Sequence, residues 1–303
     1  MTYDLRTLLA DATRTLADGG VPSPRHDAEM LAAHVMRTQR PALAGISTVT
    51  QVQREQFHHL VRRRAGREPL QHLTGRVGFR YLDLEVGPGV FVPRPETEVM
   101  TGVAVDELRQ LVVAGVAPRA VDLCTGCGAV AIALGTEVPQ AQVVGIELSP
   151  EAAAYAERNA RGTGVDIRVG DLADAARSLA DLAGSVHVVT ANPPYIPLEA
   201  WESVDVEVRD FDPALALWSG DDGLDAIRLV AHQAAELLVD GGLVTCEHAD
   251  VQGESAPRVF VDSGLWCDVR DHPDLTGRPR FVTARRVPRA ARPDGTSPGT
   301  IGA

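Results

Sequence analysis

The run Asn192-Pro193-Pro194-Tyr195 carries the residue types in this sequence that are best suited to chemistry. Two consecutive prolines fix φ and impose a stiff, extended backbone, so the loop becomes a rigid row of carbonyl acceptors. The Asn192 side-chain oxygen and the Pro193 carbonyl can together accept both hydrogens of a planar –NH2 group, while Tyr195 supplies an aromatic face. The run therefore predicts recognition of an amide or exocyclic amine, and a strand-ending turn with a core tyrosine is the alternative.

A second candidate site is the glycine loop of residues 124–128, Cys124-Thr125-Gly126-Cys127-Gly128. It follows an apolar run and precedes an Ala-rich helix, whose free N–H groups can bind a carboxylate or phosphate. Glu147 ends the next predicted strand, where a carboxylate can accept hydrogen bonds from both ribose hydroxyls. The loop predicts a nucleoside ligand. Because residues 126–131 also fit the fingerprint G-x-G-x-x-A, NAD stays open as that ligand.

Two smaller motifs accompany these sites. Asp171-Leu172 follows the third predicted strand, where the Asp carboxylate can accept from an adenine amino group and Leu172 can cover the ring; a helix N-cap is the alternative role for Asp171. Cys124 and Cys127 form a C-x-x-C pair, but Cys246 and Cys267 make no second close pair, and no histidine spacing is typical of a metal site. We therefore predict no metal.

Composition narrows the function class. The 303 residues contain 29 basic and 41 acidic side chains, a net charge of −12, which disfavours a dedicated nucleic-acid binder. All the basic residues are Arg, so chemistry that needs a lysine amine, such as a Walker A loop or a pyridoxal Schiff base, is excluded. Few cysteines, no signal-peptide pattern and no long apolar run predict a cytoplasmic protein without membrane segments.

The elements that must position these residues fall into three parts. Residues 1–75 show helical apolar spacing and no strand signal, with one helix predicted over the apolar positions from Leu5 to Leu16 and stopped by Gly19-Gly20, a second after Pro24, and a third at about 52–65. Residues 76–98 predict a β-hairpin link, with a strand from Gly78, a turn at 87–89 and a short strand at 90–92. The small first domain carries the positive charge balance.

Residues 99–287 alternate strands with helices, which predicts an α/β domain with a Rossmann-like, mostly parallel seven-stranded sheet covered on both faces. We place the strands near 119–124, 142–147, 166–169, 186–191, 242–247, 266–271 and 280–286. Residues 288–303 are rich in Pro, Gly, Arg and Ser, which is typical of a disordered tail.

Beyond these patterns, the sequence resembles a known family. The form [DN]-P-P-[YFW] after the fourth strand is the signature of S-adenosylmethionine-dependent amino-methyltransferases. Within them, nearly the whole chain resembles the bacterial protein-(glutamine-N5) methyltransferases of peptide chain release factors (the PrmC/HemK type). The most specific run is Pro93-Arg94-Pro95-Glu96-Thr97-Glu98; other matching segments are 21–29, 68–75, 207–213, 220–224 and 274–278.

The resemblance implies a helical substrate-recognition domain, a hairpin and a class I methyltransferase domain. It implies that residues 124–128, Glu147, Asp171, Leu172 and Asn192 contact S-adenosylmethionine, that S-adenosylhomocysteine is the product, and that the cofactor is closed over by Phe91, Arg94, Pro95, Glu96 and Thr97. Asn192, Pro193, Pro194 and Tyr195 would hold the glutamine of a Gly-Gly-Gln motif. The implied partners are release factors, with no direct nucleic-acid contact.

This sequence departs from the family pattern at three positions. Cys124 stands where many relatives have the first glycine of the loop, Glu147 where they commonly have Asp, and Asp212 where they commonly have Glu. We expect Cys124 to be accommodated, because a residue at the end of a strand does not need a positive φ. Two other functions stay open: an amino-methyltransferase acting on adenine in DNA or RNA, and a non-catalytic or NAD-binding Rossmann protein.

Overall fold

The computed structural model describes residues 2–289; Met1 and residues 290–303 are not described, so the predicted tail lies, from residue 290 onward, outside the described residues. The described chain forms two compact units. The first comprises the residues up to Gly78 together with Asp83–Val92 and Trp201–Ala214. The second comprises Phe79–Leu82, Pro93–Ala200 and the residues from Leu215 onward. The first unit thus includes a segment that lies more than a hundred residues further along the chain.

The first unit is helical, as the apolar spacing predicts. Its helices are α1 (Leu5–Asp18), α2 (Pro24–Val35), α3 (Gln51–Ala65), α4 (Leu70–Thr74) and α9 (Val206–Phe211), numbered in chain order. Asp4 caps α1 by accepting the Thr7 N–H, and Thr50 begins α3 with a reciprocal pair of hydrogen bonds to Gln53. Leucines of α1 pack against α2 and α3 in one apolar core. A short antiparallel ribbon of β1 (Thr2–Asp4) and β2 (Thr48–Thr50), which the pattern did not indicate, adds to this unit.

A β-hairpin lies within residues 76–98, but its strands and its turn are not the predicted ones. Strands β3 (Arg76–Phe79) and β4 (Leu82–Glu85) are joined through Arg80 and Tyr81, and residues 90–92 form no strand, so the predicted turn at 87–89 is wrong. The chain reverses because Arg80 adopts the left-handed region, with φ of 52°. No glycine marks this reversal, and the only change in the apolar alternation is a shift of one residue between Tyr81 and Leu82. The turn was therefore hidden in the pattern.

The second unit is a seven-stranded sheet in the order β10-β11-β9-β8-β5-β6-β7, with helices between the strands. Its strands are β5 (Arg119–Leu123), β6 (Gln142–Glu147), β7 (Asp166–Val169), β8 (Val186–Ala191), β9 (Leu238–Glu247), β10 (Trp266–Pro273) and β11 (Pro279–Arg286). Its helices are α5 (Thr97–Val113), α6 (Ala129–Glu137), α7 (Pro150–Asn159), α8 (Ala175–Ser178), α10 (Asp225–Leu237) and α11 (Ser255–Asp262). All seven predicted strands are present, and β9 begins four residues earlier than predicted.

Strand direction decides where the sites lie. Strands β7, β6, β5, β8 and β9 run parallel, and β11 and β10 complete the sheet antiparallel. Connections run outward from β5 through β6 to β7, and the chain then returns to the other side of β5 as β8. The carboxyl end of β5 is therefore a topological switch point, where open α/β sheets bind their ligands. The apolar strand side chains and α10 form the main core beneath this edge.

Candidate active site

The carboxyl edge of the sheet brings the predicted site residues together. Residues 124–128 follow β5, Glu147 ends β6, Asp171 and Leu172 follow β7, and residues 192–195 follow β8. In the strand register Leu123 lies beside Ala191 of β8 and beside Ile146 of β6. The glycine loop therefore lies between Glu147 on one side and Asn192 on the other.

The glycine loop requires unusual backbone at three positions. Gly126 and Gly128 have φ of 58° and 87°, and a Cβ on Gly128 would lie 2.8 Å from the Ile132 Cδ1 atom. Cys124 has φ of 60°, so the expectation that this residue does not need a positive φ is wrong. The turn begins at Cys124, two residues before the first glycine of the loop, and Cys124 carries the strain of a left-handed L-residue.

The Glu147 carboxylate holds the glycine loop. One of its oxygens accepts the Gly126 N–H at 2.8 Å and the other accepts the Ser149 N–H at 2.9 Å. Charged acceptors make stronger hydrogen bonds to backbone N–H groups than neutral ones do. Each carboxylate oxygen keeps a further lone-pair direction, so Glu147 can hold the loop and still accept from a ribose hydroxyl.

A buried carboxylate below the loop was missed from the sequence. Asp122, on β5, accepts the Thr125 hydroxyl and the Thr190 hydroxyl, each at 2.6 Å. Burial raises the pKa of Asp122 to about 6, although both hydroxyl hydrogen bonds oppose the rise. Asp122 therefore ties the glycine loop to β8. The available signal was an acidic residue in the middle of an otherwise apolar strand.

Asp171 caps the short turn after β7. Its Oδ1 atom accepts the Ala173 N–H at 2.8 Å, which is the helix-cap role that the sequence left open. Asp171 itself is exposed, and Leu172 beside it is buried. The contact of Asp171 with an adenine amino group stays a prediction.

The Asn192–Tyr195 loop is tied to two other elements of the second unit. The half-buried Asn192 donates from Nδ2 to the Thr97 hydroxyl at 3.3 Å, which leaves its Oδ1 atom as an acceptor. The Tyr195 hydroxyl donates to Glu247 Oε1 at 3.4 Å. Burial and the nearby Glu247 raise the pKa of Tyr195, so its phenol stays neutral near pH 7. The loop thus presents a fixed amide oxygen and a neutral ring.

Glu247 is the second residue that the sequence analysis missed. It ends β9, is 1% exposed, and its Oε2 atom has no hydrogen-bond partner among the described residues. Burial raises the pKa of this carboxyl to about 7, while a hydrogen bond from Thr97 and the charge of Arg280 partly offset that rise. The signal was an acidic residue at the carboxyl end of a buried strand.

The run before α5 also contributes to this edge. Thr97 is buried at the first turn of α5, and its N–H bonds the Arg94 carbonyl at 3.2 Å. The charge of Arg94 is close enough to Tyr195 to offset part of the rise in the pKa of Tyr195. The charge of Glu96 is close enough to Glu247 to add to the rise in the pKa of Glu247. Four of the five residues expected to close over the cofactor, Arg94, Pro95, Glu96 and Thr97, therefore lie in the second unit. The fifth, Phe91, belongs to the first unit, where it is half-buried.

Comparison with known proteins identifies the family. Residues 7–75 match the PrmC N-terminal domain, and residues 120–210 match a methyltransferase domain. A release factor glutamine methyltransferase from Streptomyces coelicolor is 52% identical over 92% of this chain and 97% of that protein. One from Mycolicibacterium smegmatis is 47% identical over 94% of this chain and 99% of that protein. The chain belongs to the release factor glutamine methyltransferase family.

A further relative of this methyltransferase has a different name. A 4-amino-L-phenylalanine/4-methylamino-L-phenylalanine methyltransferase from Streptomyces pristinaespiralis is 42% identical over 89% of this chain and 91% of that protein. The names of these relatives thus include the glutamine of a release factor and two amino-substituted phenylalanines.

The two cysteines of the C-x-x-C pair are held as neutral thiols. Burial raises the pKa of Cys124 well above its ordinary value and that of Cys127 to about 12, so both thiols are neutral near pH 7. Within residues 2–289, no three His, Cys, Asp or Glu side chains are grouped so as to hold a metal ion. Across the same residues, no helix is both long enough and apolar enough to span a membrane.

Gln252 and Gly223 contact the backbone of the Asn192–Tyr195 loop at Tyr195. The Gln252 side-chain amide donates to the Tyr195 carbonyl at 3.1 Å and to the Gly223 carbonyl at 3.3 Å. A Cβ on Gly223 would lie 2.4 Å from the backbone carbonyl oxygen of Tyr195 and 2.7 Å from Gln252 Nε2. This close approach requires a residue without a side chain.

We therefore expect Gly223→Ala to lower kcat at least tenfold, because the added methyl group displaces the Tyr195 backbone. The matched control is Gly241→Ala: Gly223 and Gly241 have φ of 75° and 77°, but a Cβ on Gly241 would meet nothing within 4 Å. Both variants incur the left-handed strain, and the control should keep its turnover. Steady-state kinetics alongside thermal unfolding separates the two effects, and equal losses of kcat would argue against the contact with Tyr195.

Proposed function

We propose that this chain transfers a methyl group from S-adenosylmethionine to the side-chain amide nitrogen of the glutamine in the Gly-Gly-Gln motif of release factors. The observation that carries the proposal is the Asn192–Tyr195 loop, in which Asn192 Nδ2 is engaged by Thr97 and Oδ1 is left to accept. Relatives of 52% and 47% identity that cover nearly the full chain carry that activity in their names.

S-adenosylmethionine fits the residues at the switch point. The left-handed glycines 126 and 128 carry no side chain and let a ligand approach the backbone closely, Glu147 can accept from ribose hydroxyls, and Leu172 offers an apolar surface for adenine. When bound, the cofactor supplies an electrophilic sulfonium methyl group. Of the expected cofactor residues, Cys124–Gly128, Glu147, Asp171, Leu172 and Asn192 all lie at this edge of the sheet.

The low nucleophilicity of the acceptor nitrogen is the main difficulty of the reaction. An amide lone pair is delocalised into its carbonyl, so the nitrogen is a poor nucleophile. Asn192 Oδ1 and the Pro193 carbonyl accept both amide hydrogens, which fixes the nitrogen in one orientation and stabilises positive charge that builds on it during transfer. Such orientation is worth up to roughly 7–11 kcal/mol of the barrier, so no strong base is needed before transfer, and the proton leaves afterwards. Tyr195 covers the planar amide with its neutral ring.

A second acceptor class follows from one comparison. The 42% identical relative named for 4-amino-L-phenylalanine supports an aromatic amine as the alternative acceptor. The same two oxygen acceptors suit an arylamine –NH2 group, and the adenine amino group is chemically similar. The net charge of −12 disfavours a nucleic-acid substrate. A cytoplasmic location goes with the proposed release-factor substrate.

The deciding experiment incubates the protein with methyl-labelled S-adenosylmethionine and a cognate release factor, followed by mass spectrometry of the Gly-Gly-Gln peptide. Label on that glutamine is the expected result. The matched control is a release factor whose motif glutamine is changed to Glu, which lacks the acceptor nitrogen. Parallel reactions with 4-amino-L-phenylalanine and with an adenine-containing oligonucleotide test the other acceptors, and label there but not on the release factor would overturn the proposal.

A further inference from the structure

A row of hydrogen bonds joins the buried Glu247 carboxylate to the loop that holds the acceptor. The oxygen of the Thr97 hydroxyl accepts Asn192 Nδ2–H at 3.3 Å, and the same hydroxyl lies close enough to Glu247 to lower the pKa of that carboxyl by hydrogen bonding. Parallel pairing of β8 with β9 places Ala191 beside Cys246, so Asn192 and Glu247 follow side by side at the edge. The row is therefore built into the strand register.

The direction of these hydrogen bonds matters for the acceptor. An ionised carboxylate only accepts, so it takes the single proton of the Thr97 hydroxyl. The hydroxyl oxygen can then only accept from Asn192, which must turn Nδ2 toward Thr97 and Oδ1 away from it. A side-chain amide turned the other way would oppose its own –NH2 group to the –NH2 group of the acceptor, and no hydrogen bond would form.

We propose that Glu247 is a positioning residue, whose ionised carboxylate sets, through the Thr97 hydroxyl, the orientation in which Asn192 presents Oδ1 to the acceptor nitrogen. This inference rests on the proposed function, because it assigns to Glu247 the preparation of the amide-binding loop. The Tyr195 hydroxyl donates to the same carboxylate at 3.4 Å, so both ends of the loop depend on Glu247. A protonated Glu247 can instead donate a hydrogen bond to the Thr97 hydroxyl. The Thr97 hydroxyl can then donate to Asn192, so the direction of both hydrogen bonds is reversed.

The charges around Glu247 make this reversal accessible near neutral pH. Arg280 of β11 favours the ionised carboxylate, while Glu96 before α5 opposes it. Tyr195, from the loop after β8, donates a hydrogen bond and stays neutral. Burial, with a smaller contribution from Glu96, outweighs Thr97, Arg280 and Tyr195 and raises the pKa of Glu247 to about 7. The inference therefore predicts that turnover falls as the pH drops through about 7.

The test compares the full-length protein with its Glu247→Gln variant on the release-factor substrate between about pH 6 and pH 9. We expect the wild-type kcat to rise with one proton's dependence around pH 7. Glu247→Gln should turn over about 10- to 100-fold more slowly at about pH 8.5, without that dependence, and should bind S-adenosylmethionine with unchanged affinity in calorimetry. At low pH the two rates should converge, because both side chains are then neutral.

Stability separates positioning from a structural role. The folded-state pKa of Glu247 is raised from 4.5, so the free energy of unfolding that this group contributes is present below pH 4.5 and is lost as the pH rises through about 7. Gln has no such loss, so Glu247→Gln should unfold at an equal or higher temperature at about pH 8.5. A catalytic loss with no loss of stability is the expected combination.

Two further variants complete the test. Thr97→Ser keeps the hydroxyl and should keep the pH dependence, whereas Thr97→Val should abolish it. Thr245→Val, two residues before Glu247, is the matched control, because its buried hydroxyl has no partner among the described residues. If Glu247→Gln keeps the wild-type rate and its pH dependence, the inference is overturned. If the wild type itself leaves the release-factor glutamine unlabelled, the proposed function fails instead.

Discussion

Replacing Asn192 by Ala is expected to lower kcat about 10²–10³-fold while changing the dissociation constant of S-adenosylmethionine by less than about tenfold. The asymmetry arises because a hydrogen bond to a bound ligand has a net value of about 1 kcal/mol, whereas one that stabilises charge developing in the transition state is worth several. Asn192 Oδ1 is the acceptor that Thr97 leaves available, and Ala has none. Single-turnover kinetics with saturating cofactor, combined with calorimetry, measures the two quantities separately.

The matched variant for this prediction is Asn159→Ala. Asn159 donates from Nδ2 to the Cys127 carbonyl at 2.9 Å and so supports the glycine loop rather than the acceptor. We expect its loss to weaken cofactor binding more than it lowers kcat at saturating cofactor. The two asparagines should thus show opposite patterns. An Asn192→Ala enzyme with normal turnover would refute the assignment of Asn192 to the acceptor.

The sheet could be predicted from the sequence because its strands are defined locally. Runs such as Val186–Ala191 and Gln142–Glu147 are β-branched, bounded by polar turns and separated by helices, so each strand is visible within its own window. Parallel order then places every strand's carboxyl end at one edge. The positions of residues 124–128 and 192–195 follow from that rule alone.

What the sequence did not reveal depends on contacts between distant residues. Asp122 meets Thr190 across 68 positions, and the Tyr195 hydroxyl meets Glu247 across 52. The local sign of these carboxylates was an acidic residue within or at the end of an apolar run, and that sign does not give the distant hydroxyls that they contact. The positive φ of Cys124 was not predicted for a different reason. Neither a cysteine side chain nor a position at the end of a strand indicates a left-handed backbone. Tertiary structure decided each of these cases.

The first unit contains an example of still longer range than these two. Arg64 of α3 donates from Nε to Asp27 of α2 at 2.7 Å and from Nη2 to Glu207 of α9 at 2.8 Å, across 143 positions. Arg67 donates to the same Glu207 oxygen at 2.7 Å. The segment 201–214 is therefore part of the helical unit, although it lies within the stretch predicted as the methyltransferase domain. Deleting residues 1–75 to test substrate recognition would also remove the ion-pair partners of this segment.

We expect Arg64→Met to lower the free energy of unfolding of the helical unit by about 3–5 kcal/mol. The side chains of Arg64 and Asp27 are only 5% and 8% exposed, so removing the cation leaves a buried carboxylate without its partner. The Glu68 carbonyl, which accepts from Arg64 Nη1 at 2.9 Å, loses a donor as well. Urea unfolding followed by circular dichroism measures the change, and hydrogen exchange in residues 206–211 reports whether α9 is released.

The neighbouring Arg63→Met is the matched control. Arg63 makes a two-point ion pair with Glu68, but its side chain is 41% exposed, so solvent screening limits the pair to less than about 1 kcal/mol. The double variant Arg64→Met with Asp27→Leu should recover part of the lost stability, because it removes the stranded charge and adds apolar surface. Equal losses for the Arg63 and Arg64 variants would mean that burial does not set the strength of this ion pair. In that case α9 would be held in the helical unit by Arg67 and apolar packing instead.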